Sequence, residues 1–200
     1  MKHILLLAIL AFFGLPAPLR AQVAVKTNIL YDATTTPNLG IEVGVAGKST
    51  FNIVYGLNPW SFGSATRDRK FARHWILMPE YRWWPCTRFT GHFAGVHLMA
   101  GELNACNVSL PVPGGFVGGT NLSKGARDAR VQGPFAGIGM TYGYQWALSR
   151  HWNVEAEIGA GYAHVWYAKF PCGSCGQKIE EGNADYLGLT KVGISLMYIF

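Results

Sequence analysis

Apolar and polar residues alternate with a period of two along much of this chain, the pattern of strands with one face in an apolar medium. In Asn38 to Ala46, Leu39, Ile41, Val43 and Val45 share one face, while Gly40, Glu42, Gly44 and Ala46 share the other. Phe51 to Trp60 repeats it, with Phe51, Ile53, Tyr55 and Leu57 against Asn52, Val54, Gly56 and Asn58. At the end of the chain Val192, Ile194, Leu196, Tyr198 and Phe200 alternate with Lys191, Gly193, Ser195, Met197 and Ile199. Marking every such segment predicts eight strands, roughly 22–32, 38–46, 50–60, 73–84, 90–104, 133–147, 151–168 and 185–200. The connections 61–72, 105–132 and 169–184 are long, and 47–49, 85–89 and 148–150 are short; 33–37 falls on the long-loop side but is itself short. An even strand count with short turns at one end and longer loops at the other is the plan of an outer-membrane barrel.

A soluble sandwich or lipocalin-like barrel also alternates, so the decision rests on the less apolar face. In Asn153 to Tyr162 that face carries Asn153, Glu155, Glu157, Gly159 and Gly161, opposite Val154, Ala156, Ile158, Ala160 and Tyr162. Small residues with a few charges are a poor exterior for water, but they suit the narrow lumen of an eight-stranded barrel. The seven tryptophans supply a second test. Trp60, Trp75 and Trp166 lie beside the long loops, and Trp83, Trp84, Trp146 and Trp152 beside the short turns, which predicts aromatic belts at two membrane interfaces. The expected fold is therefore all-β, an eight-stranded antiparallel transmembrane β-barrel of the outer-membrane, up-and-down type.

Composition agrees. Half of the 200 residues are apolar, 25 are Gly, and only 14% are charged, against roughly 25% in an average globular domain. Residues 1–21 read as a secretory signal peptide: Lys2 and His3, the apolar run Ile4 to Leu15, then Pro16 to Ala21. Twelve apolar residues are too few to span a bilayer as a helix, which takes about 20. Residues 22–200 form one predicted barrel domain. Without Lys2 and Arg20 the formal charge of +6 falls by 2 to +4, an excess that does not argue for nucleic acid. The last strand ends on Phe200 with Leu196 and Tyr198 in the same row, resembling the signal read by the machinery that inserts outer-membrane barrels.

The segments VKTNILYD at 25–32, PNLGIEV at 37–43, PEYRWW at 79–84 and GHFAGVHL at 91–98, with the later GIGMTYGYQW and NVEAEIGAGY, resemble the Bacteroidota outer-membrane family catalogued as domain of unknown function 3575. The resemblance runs over nearly all of residues 22–200. It implies a barrel-type envelope protein, sometimes associated with fimbria-like surface proteins, and brings no catalytic motif.

Several groups carry candidate chemistry. Lys26, Glu42, Glu80, Arg82, Glu155, Glu157 and Lys191 all fall on the predicted lumen face. Charges there must pair, because an unpaired buried ion costs several kcal/mol; the expectation is a plugging ion-pair network, with a proton or ion path as the alternative. Arg67, Arg69, Lys70 and Arg73 cluster near the outer rim, and Lys124, Arg127 and Arg130 lie in the longest loop. Guanidinium groups pair well with phosphate, so lipopolysaccharide is one expected partner, set against a merely solvated loop. Cys172 and Cys175 in PCGSCG favour a local disulfide in an oxidising compartment, with Cys106 as competitor and Cys86 free at the opposite end. A single CxxC is a weak zinc signal, and neither a metal nor another cofactor is expected. His92, His97 and His164 fall in strands without a Ser and acid beside them. The functional expectation is a structural or surface-interaction role; a lipid-A-modifying barrel enzyme or a narrow pore is the alternative.

Overall fold

A computed structural model describes residues 22–62, 70–108, 114–117, 122, 126, 129–172 and 176–200. They form a nearly all-β antiparallel sheet of nine strands. In chain order these are β1 (Val23–Asn28), β2 (Asn38–Ala46), β3 (Ser49–Asn58), β4 (Phe71–Trp83), β5 (Gly91–Cys106), β6 (Gly114–Val117), β7 (Arg130–Ala147), β8 (Trp152–Phe170) and β9 (Glu180–Ile199), with one short helix, α1 (Ile29–Ala33), after β1. Eight of them pair in succession, and β1 returns to β9 from Ala24↔Ile199 to Asn28↔Ser195, which closes a ring. The ninth, β6, continues along the same side of β9 beyond β1, from Gly114↔Gly188 to Val117↔Asp185.

The first strand stops four residues short of the predicted 22–32 because Asn28 caps a helix. Its Oδ1 accepts from the Leu30 and Ile194 amides at 3.1 and 3.2 Å, and its Nδ2 donates to the Val192 carbonyl at 3.1 Å. Asn is among the best N-cap residues because its short side chain replaces the missing helical acceptor. Between β2 and β3, Gly47 takes φ +48° at the tip of the tight turn, a conformation that costs glycine little.

Rows alternate around the ring. Exposed Ile41, Ile53, Val96, Leu98, Ile138, Met140, Ile158, Val192 and Ile194 point outward, and the residues between them point in. One irregularity reverses the rows of β9. Gly159 pairs with Lys191 but Ala160 with Leu189, leaving Thr190 as an extra residue. A bulge shifts the inside-outside alternation by one. Lys191, Ser195 and Met197 are thus buried on one side of it, and Ala184 and Tyr186 on the other.

The interior is layered. At the short-turn end Ala24, Phe89 and Met197 pack together, and Trp84 stacks near Phe89 and Phe93, with ring centroids 6.1 and 4.9 Å away. Phe89 arrives there from the β4–β5 connection with φ +60°, an uncommon conformation for a bulky residue, held where Asn153 Nδ2 donates to its carbonyl at 2.7 Å. Farther along lie Val54, Ile76 and Met78, packed against Met99 and Phe135. At the long-connection end Leu122 and Ala126 of the β5–β7 connection sit on Ala105, Val131, Tyr167 and Ala184. Charged and polar residues fill the layer between the first two apolar ones.

Candidate functional site: the buried charge layer and the outer rim

All seven side chains predicted to face the interior as ions meet in one network, supplied by β1, β2, β4, β8 and β9. Arg82 is its hub. Its Nε donates to Glu80 Oε2 at 2.7 Å, its Nη1 to Glu42 Oε2 at 2.9 Å and Glu155 Oε2 at 2.7 Å, and its Nη2 to Glu155 Oε1 at 3.2 Å and Glu157 Oε2 at 2.7 Å. Lys26 Nζ reaches Glu42 at 3.2 Å and Glu155 at 2.9 Å; Lys191 Nζ reaches Glu80 at 2.7 Å and Glu157 at 3.0 Å. Three cations face four carboxylates, a formal charge of −1, with every one of these side chains at most 3% exposed. The Arg82 guanidinium also lies 4.4 Å from the Phe93 ring centre, a cation–π contact that partly replaces lost hydration.

Polar neighbours complete the layer. Thr50 Oγ1 donates to Glu42 at 2.6 Å, Trp84 Nε1 donates to Thr50 at 3.0 Å, and Asn52 Nδ2 donates to Glu80 Oε2 at 3.0 Å. Glu80 Oε1 and Asn52 Oδ1 are buried without a partner. His97 bridges Thr141 and Thr190 at 2.7 and 2.9 Å, so the bulge residue completes its second hydrogen bond. Glycines make the room: a Cβ at Gly95 would lie 2.8 Å from Glu80 Oε1, and one at Gly139 only 2.6 Å from His97 Nε2. A void of about 10 Å³ borders Lys26, Tyr31, Glu157 and Lys191, about the space of one water.

Trp84 is fully buried and does not join an outer belt. Adjacent strand residues face opposite sides, so outward Trp83 forces Trp84 inward, a constraint already present in the Trp-Trp pair. Trp60, Trp75, Trp83, Trp146, Trp152 and Trp166 do point outward, each between 37 and 52% exposed. Of the terminal row, Phe200 is exposed and Tyr198 lies between Trp152 and Phe200, ring centres 5.1 and 5.0 Å away; Leu196 pairs with Thr27 and Val154.

Cys172 is bonded to Cys106, Cα atoms 5.9 Å apart, and not to Cys175, which lies outside the described residues. The bond joins the chain just beyond β8 to the end of β5 although β7 stands between those strands in the sheet, a meeting that strand order alone does not reveal. Cys86 is free and exposed.

Among the predicted rim cations, Arg67, Arg69, Lys124 and Arg127 fall outside the described residues. Lys70 is exposed and bridges Phe62 through backbone hydrogen bonds of 2.8 Å. Arg73 is half-buried, its guanidinium 4.9 Å from the Phe71 ring centre. Arg130 donates to Asn104 at 3.0 Å and Gln132 at 2.7 Å, so its charge is already engaged. On the outer face His164 Nδ1 lies 2.6 Å from Asp185 Oδ1, which also accepts from the Tyr162 hydroxyl at 2.5 Å. Sequence reasoning missed this pairing, because it depends on the reversal of rows at Thr190. At the rim Glu180 accepts from Lys169 at 2.7 Å and Tyr167 at 2.9 Å; these donors hold its carboxyl below the usual range.

A closed antiparallel ring with apolar residues outside and paired charge inside defines the class of molecule. The chain matches the family model described as "Protein of unknown function (DUF3575)" over residues 3–200, and it belongs to that family. No curated protein matches it.

Proposed function

We propose that the ring is an eight-stranded transmembrane β-barrel in the outer membrane of a Gram-negative bacterium, reached by way of a cleaved signal peptide, and that it serves as a plugged structural anchor for surface interactions. The observation that carries this reading is the inversion of polarity. Exposed Ile, Leu, Val and Met side chains lie on the outer face of the ring while seven ions are buried inside, an arrangement unfavourable in water and favourable in lipid. Outward tryptophans toward both ends of the strands fit two interfaces. From Trp75 to Trp83 on β4 is eight residues, about 26 Å along a strand and about 20 Å along the axis at a tilt near 40°, close to the height of an apolar band.

In this reading the long connections face outward, Lys70 and Arg73 stand near lipopolysaccharide phosphates, and the Leu196, Tyr198 and Phe200 row addresses the insertion machinery. Fimbria-like surface proteins are candidate partners of the loops. A narrow pore fits poorly with the filled charge layer. The test is heat-modifiability of the purified protein on SDS gels combined with protease shaving of intact cells. The expected result is a band that shifts on boiling and cleavage within the long connections from outside; a protein that stays soluble without detergent would sink the proposal.

A further inference from the structure

The sheet register places a second site on the outer face at the long-connection end. Glu102 of β5 is paired with Pro134 of β7, and Trp166 of β8 with Asn183 of β9; the neighbouring row holds Gln132, Ala168 and Glu181. The β7–β8 pairing lapses between Gln132↔Ala168 and Phe135↔Val165, where Pro134 has no N–H to donate. Gly133 allows the strands to approach there, since a Cβ on it would lie 1.9 Å from the Trp166 carbonyl. The small Pro134 and Ala168 leave a groove of about 410 Å³ beside Trp166, within the size range of small-ligand sites. Trp166 is 45% exposed, steadied by His164 edge-on at 4.6 Å between ring centres. Among the described residues its indole N–H, the Glu102 carboxylate and the Asn183 amide have no hydrogen-bond partner.

We propose that this groove binds a saccharide. An aromatic face carries negative charge density and attracts the slightly positive C–H face of a pyranose ring, while a carboxylate and an amide at the edge match its hydroxyl groups as acceptor and donor. Glu102 and Glu181 against Lys178 make the lining net negative (two carboxylates, one ammonium), which disfavours phosphate. The sugar can come from the cell's own lipopolysaccharide core or from a glycan outside it. The groove exists in the folded chain with or without a membrane, so this inference stands apart from the anchor reading.

The test is calorimetric titration of the full chain in detergent with two probes: dephosphorylated lipopolysaccharide core oligosaccharide, and a panel of free hexose and N-acetylhexosamine oligosaccharides. Binding of either supports the proposal and names the source. Trp166→Ala and Glu102→Ala are expected to weaken it about tenfold or more, while Trp166→Phe, which keeps an aromatic face, retains most of it. Each variant is checked for the same boiling-dependent gel behaviour as the parent chain. No binding of either probe to the parent chain, equal binding by folded Trp166→Ala, or a requirement for phosphate on the sugar would overturn it.

Discussion

A guanidinium has five N–H donors, and Arg82 makes five hydrogen bonds to four carboxylates. Removing it leaves those carboxylates facing one another with only Lys26 and Lys191 for company. Arg82→Met is therefore expected to destabilise the fold by about 3–5 kcal/mol, read as the urea midpoint of the refolded protein. The carboxylates are not equivalent. Glu155 uses both oxygens as acceptors, whereas Glu80 receives its bonds on Oε2 and leaves Oε1 unpartnered. Both Glu→Gln changes remove the net negative charge, but Glu155→Gln presents an amide to cationic donors and is expected to cost about 3 kcal/mol, whereas Glu80→Gln can set its NH2 at the idle oxygen and is expected to cost about 1 kcal/mol. Equal losses for the two would refute the hub geometry. The same contrast holds for the tryptophan pair: Trp84→Phe loses the bond to Thr50 and leaves a void, about 1–3 kcal/mol, while outward Trp83→Phe stays within about 0.5 kcal/mol.

Elements follow from rows of residues, and rows were the most legible part of the sequence. Five of the seven interior ions, Lys26, Glu42, Glu155, Glu157 and Lys191, lie in step with Gly, Ser or Asn on strands whose other face carries Ile, Val or Leu, and Glu80 and Arg82 alternate with Leu77, Tyr81 and Trp83. What escaped is whatever breaks the step. Asn28 ends β1 by capping, Thr190 reverses the top of β9 and so brings Asp185 to His164, and Gly114–Val117 pairs with β9 from within what reads as a loop. The disulfide went to the competitor Cys106 and not to the neighbour in sequence, a choice the sequence left open because β7 separates the two strands in the sheet. Digestion without reduction is expected to yield a peptide pair joined through Cys106 and Cys172, with Cys86 alkylated; a Cys172–Cys175 bridge would contradict the link between the end of β5 and the chain beyond β8. With the joined cysteines 66 positions apart, reduction is expected to lower stability by up to about 4 kcal/mol in the loop-closure model, measured by unfolding with and without reductant.

For the molecule as a whole, the layered interior predicts that no steady current passes. Among the described residues, apolar side chains fill the short-turn end and paired ions the middle of the ring. Planar-bilayer recordings of the purified protein are expected to show closed baselines; a stable open level would refute the plug. Loosening the charge layer, as in Arg82→Met, is the change most apt to create leakage.

The seam between β1 and β9 sets a timetable for folding. The ring's last strand in chain order, β9, is the immediate neighbour of β1, and the carboxylates Glu80 and Glu157 have the β9 lysine still to come. Until that strand docks, β1 and β8 are both open edges and part of the charge is unmatched, so a partial sheet has little to gain from folding early. Closure is therefore expected as one late, cooperative event, in which the free edge of β1 and the carboxylates awaiting Lys191 are satisfied together.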